Sequence, residues 1–213
     1  MHMSTVEQIA ENLIKGKANE VKALVQQALN DGEKPAKILN KGLLAGMNVI
    51  GVRFKNNEVY VPEVLIAARA MKAGMEILQP KLTAAGVKPV GIAVIGTVKG
   101  DLHDIGKNLV RMMLEGAGFK VVDVGIDVEP KKFVDAAAES NAKIVGVSAL
   151  LTTTMTNMKL VVEAFKASPL ASKVKIMIGG APVTQAFCDE IGADGYAPDA
   201  ASAADLAKSL LAA

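Results

Sequence analysis

One histidine lies among acidic residues at a spacing that suits metal binding. In Gly100-Asp101-Leu102-His103-Asp104-Ile105-Gly106, the carboxylate of Asp101 can accept a hydrogen bond from one imidazole nitrogen of His103 while the other nitrogen binds a metal ion. Gly106 leaves room for a flat, bulky ligand against the backbone. The glycines match neither Gly-x-Gly-x-x-Gly nor the phosphate loop, which disfavours nucleotide binding of those kinds. Taken alone, a short motif of this kind more often belongs to a surface or helix-capping histidine than to a metal ligand.

Two later segments carry residues that could line the same site. One holds hydroxyl groups that can donate to a buried acceptor, and its candidate residues are Ser148, Leu150, Thr152 and Thr154. The other is Gly179-Gly180-Ala181, whose paired glycines would open a slot between loops. Each segment also has a purely structural explanation, because Ser and Thr cap helices and Gly-Gly turns the chain.

These segments follow strands of a predicted parallel sheet. Apolar runs predict strands near residues 91–96, 119–124, 143–148, 174–178 and 195–196. Helical patterns between and after them lie near residues 104–116, 130–140, 154–167, 183–191 and 200–212. This alternation predicts a flavodoxin-like (Rossmann-type), doubly wound parallel five-stranded sheet of order 2-1-3-4-5. In that order a ligand binds beyond the carboxyl ends of strands 1 and 3, where the candidate residues would meet.

The first part of the chain has only a helical period. Capping-box spacing at Ser4 and Glu7 starts a first helix, and further helices are predicted near residues 21–29, 35–54 and 62–78. Short turns between them predict an antiparallel four-helix bundle. The apolar stripe of the fourth helix is predicted to be Val64, Leu65, Ala68, Met71, Met75 and Leu78. We therefore expect two domains, a helical bundle at residues 1–86 and an α/β domain at residues 90–213.

Composition excludes several functional classes. The 213 residues include 24 Lys and Arg against 22 Asp and Glu, interspersed along the chain, and only 3% are aromatic, so a nucleic-acid partner is not expected. No apolar run reaches the ~18 residues of a membrane span, and the start does not resemble a signal peptide. The single cysteine, Cys188, cannot form a disulfide within the chain, which is what we expect of a protein in the reducing cytoplasm. We expect Met1 and His2 to be an artificial extension ahead of a native Met3, which leaves His103 as the candidate ligand.

The three motifs in this order resemble a known family. Asp101-x-His103-x-x-Gly106, then Ser148-x-Leu150, then Gly179-Gly180, are similar to the cobalamin-binding domain of methionine synthase and of cobalamin-dependent mutases. The longer string from Gly100 to Asn108, preceded by a helical module, resembles the methyl-carrying corrinoid proteins of methyltransferase systems. The resemblance covers residues 4–213.

The resemblance implies a role for each candidate residue. His103 would bind cobalt as the lower axial ligand in place of the corrinoid's own base (base-off, His-on), Asp101 would hold the imidazole, and Thr154 would extend the relay. The family usually has Ser at the position of Thr154. The remaining cofactor contacts implied are Gly100, Leu102, Asp104, Ile105, Gly106, Ser148, Leu150, Thr152, Gly179, Gly180, Ala181, Tyr196 and Asp199. The helical bundle would cap the corrin, with Tyr60 as a contact to its upper face.

The function implied is methyl transport on cobalt, between a substrate-specific methyltransferase and an acceptor methyltransferase that uses tetrahydrofolate or a thiol. The methyl donor would be a methylamine, methanol, a betaine or a methoxylated aromatic compound, and a reductive activase would be a further partner. The chain would then be a carrier subunit rather than a complete enzyme. Three alternatives stay open at this point: a cobalamin-dependent regulatory sensor, a small cobalamin-binding subunit of a mutase, and a flavodoxin-like module that binds no corrinoid.

Overall fold

The computed structural model describes residues 3–212 and divides into two compact units. The helical unit contains the residues up to 89 together with 116–118, and the α/β unit contains residues 90–115 and those from 119 onward. Met1 and His2, on which the prediction of an artificial extension falls, lie outside the described residues. No helix among residues 3–212 is long and apolar enough to cross a membrane.

The helical unit confirms the predicted N-terminal helical region. Its elements are α1 (Thr5–Ile14), α2 (Ala18–Asn30), α3 (Pro35–Lys37), a π segment (Ile38–Leu43), α4 (Leu44–Lys55) and α5 (Val61–Ala84). The predicted capping box begins α1, since Ser4 Oγ accepts from the Glu7 N–H at 3.3 Å and the Glu7 carboxylate accepts from the Ser4 N–H at 2.8 Å. The first helix therefore begins where local sequence chemistry placed it.

The third predicted helix is continuous in sequence but contains the π segment in its middle. Gly42, in the π segment, and Gly46, in α4, both face α1 at close range. A Cβ atom at Gly42 would lie 3.0 Å from the Ile9 Cγ2, and one at Gly46 would lie 3.0 Å from the Ala10 carbonyl oxygen. The prediction of one regular helix was wrong here, because a 3.6-residue period does not reveal an inserted residue.

The buried face of α5 also differs from the predicted stripe. Leu65 is 43% exposed, and Ala68 and Met75 are only partly buried. The buried residues are Val64, Ala67, Ala70, Met71, Gly74, Leu78 and Leu82. A Cβ at Gly74 would lie 2.8 Å from the Leu43 Cδ2 and 3.1 Å from the Val21 Cγ1, so neighbouring helices approach too closely for a large side chain. The sequence prediction favoured large apolar residues where close packing required small ones.

The α/β unit alternates strands and helices along the chain. Its elements are β1 (Ile92–Val98), α6 (Ile105–Gly116), β2 (Lys120–Val128), α7 (Pro130–Ser140), β3 (Ile144–Ser148), α8 (Thr152–Lys166), β4 (Lys175–Gly179), α9 (Gln185–Ile191), β5 (Gly195–Tyr196) and α10 (Ala200–Ala212). The sheet order is β2-β1-β3-β4-β5, and every neighbouring pair is parallel. The predicted fold class and strand order are confirmed.

Strand register brings the candidate loops to one edge of the sheet. Thr97 of β1 pairs with Ser148 of β3, and Ser148 pairs with Gly179 of β4. The interior around the sheet is apolar and mostly aliphatic. Val94, Val145 and Ile178 belong to one buried cluster, which also contains Phe133 and Phe165. Because this apolar layer holds the strands, the polar loops meet at their carboxyl ends.

Candidate functional site

The segment between β1 and α6, residues 99–104, is called the histidine loop below. The turn at the start of this loop is closed by a hydrogen bond of 3.1 Å from the Asp101 N–H to the Val98 carbonyl. The fully buried Thr97 hydroxyl donates to the His103 carbonyl at 2.9 Å, and the His103 N–H donates to Asp101 Oδ1 at 3.0 Å. These bonds fold the loop back on the end of β1 and point the Asp101 carboxylate inward.

The Asp101 carboxylate joins the histidine loop to α8. Asp101 is 0% exposed, and its Oδ1 lies 2.8 Å from His103 Nδ1. Its Oδ2 accepts from the Thr154 hydroxyl at 2.6 Å and from the backbone N–H groups of Leu150 at 2.8 Å and Leu151 at 3.3 Å. The three predicted residues Asp101, His103 and Thr154 therefore lie in one hydrogen-bonded chain, and two backbone donors that the sequence did not reveal complete it.

The hydrogen bonds keep the Asp101 carboxyl ionised. Burial by itself would raise the pKa of Asp101, but the Thr154 hydroxyl, the Leu150 N–H and the His103 backbone and ring donors together hold that pKa well below its ordinary value. A carboxylate only accepts hydrogen bonds, so the hydrogen of a neutral His103 imidazole must sit on Nδ1. The Nε2 atom then carries the free lone pair that a metal ligand needs.

A metal ion at His103 would have few other protein ligands. Its side chain is 50% exposed, while its partner Asp101 is buried. Among residues 3–212, no group of three or more His, Cys, Asp or Glu side chains is arranged to hold a metal ion. A bare metal ion needs several protein ligands, whereas a metal already held by a macrocycle needs only one from the protein. The donor set thus suits a metal that arrives with its own ligands.

Thr154 lies in the first turn of α8, and its hydroxyl is near two acceptors. Besides the 2.6 Å contact with Asp101 Oδ2, the oxygen lies 2.9 Å from the Leu151 carbonyl. A hydroxyl has one hydrogen, and the shorter contact to a charged oxygen is the stronger bond. Thr154 is therefore a donor to Asp101.

The glycine segment after β4 packs directly on the loop after β3. Gly180 has φ +139°, and a Cβ atom there would collide with the Ala149 carbonyl oxygen. A Cβ at Gly179 would lie 3.2 Å from the Ala197 carbonyl, and the Gly179 carbonyl accepts from the Ala149 N–H at 3.3 Å. Only glycine allows this approach of two loop backbones, while Ala181, the next residue, is exposed.

Apolar side chains around His103 face solvent. Leu102, Ile105 and Leu150 belong to the exposed large hydrophobic residues, and a Cβ at Gly106 would meet nothing within 4 Å. Exposed aliphatic groups beside a polar ligand are typical of a surface that binds a large, partly apolar molecule. Asp104, also exposed, accepts a hydrogen bond from the Asn108 side chain through its Oδ2 at 2.9 Å.

Within the α/β unit, the remaining predicted residues make no hydrogen bond to the Asp101 carboxylate among the described residues. Asp199 accepts from the Ser202 N–H at 2.8 Å and from the Ser202 hydroxyl at 2.7 Å, so in this structure it caps the start of α10. Tyr196 is partly buried and packs on the core of the α/β unit. Ser148 ends β3 and Thr152 begins α8. In the helical unit, Tyr60 precedes α5 and is 66% exposed.

Comparison with known protein families identifies the chain. Two family models, both described as a B12 binding domain, match residues 91–205 and residues 5–79. The chain belongs to the B12-binding family. The family resemblance predicted from the Asp-x-His-x-x-Gly motif is thereby confirmed.

Individual relatives narrow the resemblance to corrinoid proteins. The chain is 46% identical to Dimethylamine corrinoid protein 2 of Methanosarcina mazei over 97% of its own length and 96% of that protein. It is 47% identical to the Dimethylamine corrinoid protein of Methanosarcina barkeri, with 97% of each covered. A corrinoid protein of Desulfitobacterium hafniense is 40% identical over 99% of both chains.

Solved structures agree with these relatives. The methanol:cobalamin methyltransferase complex MtaBC from Methanosarcina barkeri contains a chain that matches with a TM-score of 0.88 at 30% identity, covering 98% of this B12-binding chain and 80% of that one. A cobalamin-binding protein from Desulfitobacterium hafniense matches with a TM-score of 0.80 at 31% identity, covering 98% and 99%. Both matches cover the helical and the α/β unit.

Proposed function

We propose that this chain holds a corrinoid and carries a methyl group on its cobalt, from a substrate-specific methyltransferase to an acceptor methyltransferase. The observation that carries the proposal is the single histidine whose Nδ1 lies 2.8 Å from a buried, ionised carboxylate. This arrangement leaves Nε2 as the ligand for a metal that needs one protein donor. When bound, a corrinoid supplies a cobalt ion that accepts and releases a methyl group as its valence changes.

The residues present fit such a group. His103 would be the lower axial ligand, in the base-off and His-on state, and Asp101 and Thr154 would hold its ring. We assign the displaced nucleotide base of the corrinoid to the loops after β3 and β4, whose backbones approach each other closely at Gly179 and Gly180. The other proposed contacts are Gly100, Leu102, Asp104, Ile105, Gly106, Ser148, Leu150, Thr152, Ala181, Tyr196, Asp199 and Tyr60.

The chain's own side chains have distinct tasks in this proposal. Asp101 orients the imidazole and raises the electron density at Nε2, because its negative charge faces Nδ1–H. Thr154 and the Leu150 N–H keep that carboxylate in place. The exposed Leu102, Ile105 and Leu150 side chains would be covered by a ligand of macrocycle size, which removes their apolar surface from water.

We propose a methylated amine as the methyl donor. The supporting observation is that relatives named dimethylamine corrinoid proteins share 44–47% of their residues with this chain, whereas the methanol complex shares 30%. Methanol, a betaine or a methoxylated aromatic compound are the competing donors. The acceptor would be a tetrahydrofolate or thiol methyltransferase, a reductive activase would restore the cobalt, and the compartment would be the cytoplasm.

The proposal is tested by the visible and electron paramagnetic resonance spectra of protein labelled with nitrogen-15 histidine, after incubation with hydroxocobalamin and chemical reduction of its cobalt(III) to cobalt(II). The wild type should retain corrinoid and show nitrogen coupling from a histidine on cobalt(II). His103→Ala should lose that coupling, and His2→Ala, which changes the chain's other histidine, should keep it. Wild-type protein that retains no corrinoid would refute the proposal, and so would unchanged coupling in His103→Ala.

A second experiment identifies the methyl donor. The loaded and reduced protein is mixed separately with methyltransferases specific for methanol and for mono-, di- and trimethylamine, each with its substrate. Methylation of the corrinoid should be fastest with an amine system. Methylation with the methanol enzyme alone would overturn the assignment of the donor while leaving the carrier role intact.

A further inference from the structure

The end of β2 contains a bulge beside the histidine loop. Gly96 of β1 pairs with Gly125 of β2, but the next pair is Val98 with Val128, so β2 has one residue more than β1 between the two pairs. Within this insertion Asp127 has φ +52°, a left-handed conformation that residues with a side chain rarely adopt. A bulge of this kind redirects a side chain away from the regular alternation of the strand.

Asp127, which the bulge redirects, makes two hydrogen bonds with the histidine loop. Its Oδ1 accepts from the Gly100 N–H at 2.8 Å, and its own N–H donates to the Asp101 carbonyl at 3.0 Å. The two bonds enclose the Gly100–Asp101 stretch from one side. From the side of α8, the Asn157 amide donates to the Lys99 carbonyl at 2.7 Å. The backbone that carries the Asp101 carboxylate is therefore fixed by the side chains of two different elements.

The bulge itself is held by an ion pair between a buried lysine and a partly buried aspartate. Asp123 Oδ1 accepts from the Gly125 N–H at 3.0 Å, and Gly125 has φ +97°. The other oxygen, Asp123 Oδ2, lies 2.5 Å from Lys107 Nζ, and Lys107 is only 3% exposed. Since Lys107 lies in the first turns of α6, the element that follows the histidine loop also anchors the strand that supports it. The conformation of Asp127 is thus a built feature of the α/β unit.

We propose that Asp127 is a positioning residue for His103, acting through the backbone of Gly100 and Asp101. The Asp101 carboxylate meets His103 Nδ1, the Thr154 hydroxyl and the Leu150 N–H within 2.6–2.8 Å, and a small shift of its backbone would break this set. The ion pair between Asp127 and Lys99, at 3.5 Å with both side chains more than a third exposed, contributes little. The consequence for cobalt ligation rests on the proposed function, whereas the effect on the imidazole does not.

The decisive variants are Asp127→Gly and Asp127→Asn. Glycine accepts the left-handed backbone but has no side-chain acceptor for the Gly100 N–H. Asparagine retains both the conformation and a neutral acceptor oxygen, so it should restore the function of the aspartate. Two matched controls are Lys99→Ala, which removes the ion pairs of Lys99 with Asp127 and Glu129, and Asn141→Gly, which changes another left-handed residue at the end of α7.

The first readout is nitrogen-15 NMR of the His103 ring in the cofactor-free protein, recorded in alkaline buffer. The wild type should show the Nδ1–H tautomer. In Asp127→Gly the ratio of Nε2–H to Nδ1–H tautomer should rise about fivefold, the factor expected for loss of one hydrogen bond. Asp127→Asn and both controls should match the wild type. If Asp127→Gly does not fold, Asp127→Ala, which also lacks a side-chain acceptor, takes its place with the same expectation.

The second readout is the share of bound cobalamin that has histidine on cobalt(II), measured by electron paramagnetic resonance. Asp127→Gly should retain cobalamin but show a lower share of histidine ligation. A folded Asp127→Gly protein with the wild-type tautomer ratio would overturn the positioning role, and so would a matching change in Lys99→Ala. A wild type that binds no cobalamin would refute the proposed function and leave the tautomer result to decide this inference alone.

Discussion

The interiors of the two units are stabilised by different interactions. In the helical unit the buried side chains of the described residues are apolar, and the helices approach through Gly42, Gly46 and Gly74. The α/β unit has a mostly aliphatic core of its own. It also contains all the buried polar residues of the described chain: Thr97, Asp101, Lys107 and Thr154.

These polar residues lie at or near the carboxyl ends of β1 and β3, or on α6 and α8 beside them. Buried polar groups cost stability unless every partner is present. The comparison teaches that the interior of the helical unit is stabilised by close packing of apolar side chains. The interior of the α/β unit combines such packing with a hydrogen-bonded network that orients one imidazole.

The largest expected effect tests packing in the helical unit. Leu13→Ala removes a side chain that is 0% exposed and should lower the free energy of unfolding by about 4 kcal/mol. Leu65→Ala, at a position 43% exposed on α5, should cost less than about 1 kcal/mol. Urea unfolding followed by circular dichroism measures both. Equal losses would mean that Leu65 belongs to the core after all.

The next effect tests the network in the α/β unit. Asp101→Ala leaves the Leu150 N–H and the Thr154 hydroxyl without their acceptor and should cost about 3 kcal/mol. Asp135→Ala, which removes an exposed carboxylate paired with Lys131, should change stability little. The same urea titration compares them. A loss below that of Asp135→Ala would show that the network orients the loop without stabilising the unit.

Lowering the pH should destabilise the α/β unit through the same Asp101 carboxylate. Burial alone would raise the pKa of Asp101, but the hydrogen bonds lower it below its unfolded value, so ionised Asp101 favours the folded state. Its contribution is complete above the ordinary aspartate pKa and is lost as the pH falls through the lower pKa of the folded state. Asp101→Asn should flatten the decline of melting temperature below that ordinary pKa. A decline of the same slope in both proteins would contradict this assignment.

The smallest effect separates the hydroxyl of Thr154 from its volume. Thr154→Val keeps the shape but removes the 2.6 Å donor to Asp101, and it should cost about 1 kcal/mol. Thr154→Ser keeps the donor and should stay closer to the wild type, with the wild-type tautomer of His103 by NMR. If Val and Ser variants give the same tautomer ratio, the hydroxyl has no part in holding the imidazole.

Local patterns predicted most of the architecture. Apolar runs between residues 91 and 196 located the strands, and the parallel order followed because helices separate them. The capping box at Ser4 was visible because its bonds span three residues. The π segment was not predicted, because a 3.6-residue period does not reveal an inserted residue. The buried face of α5 was predicted only in part, because it also depends on how closely neighbouring side chains approach Gly74.

The candidate site was only partly visible in sequence. The types and spacing of Asp101 and His103 suggested a ligand held by a carboxylate, and family resemblance suggested Thr154. The backbone donors at Leu150 and Leu151 and the Asp127 contact carry no residue-type signal, because a backbone N–H is common to almost every residue and a bulge shifts the strand register locally.

By itself the sequence determined the order of elements and the edge of the sheet where polar loops gather, and it pointed to His103 as a candidate metal ligand, because these follow from periodicity and residue chemistry. Tertiary structure alone decided the geometry around Asp101, whose partners Leu150 and Thr154 lie 49 and 53 residues away. Hydrogen bonds act over about 3 Å, so they form only after the strands have set the distance between loops. The aliphatic core, which sets that distance, therefore makes the polar site possible.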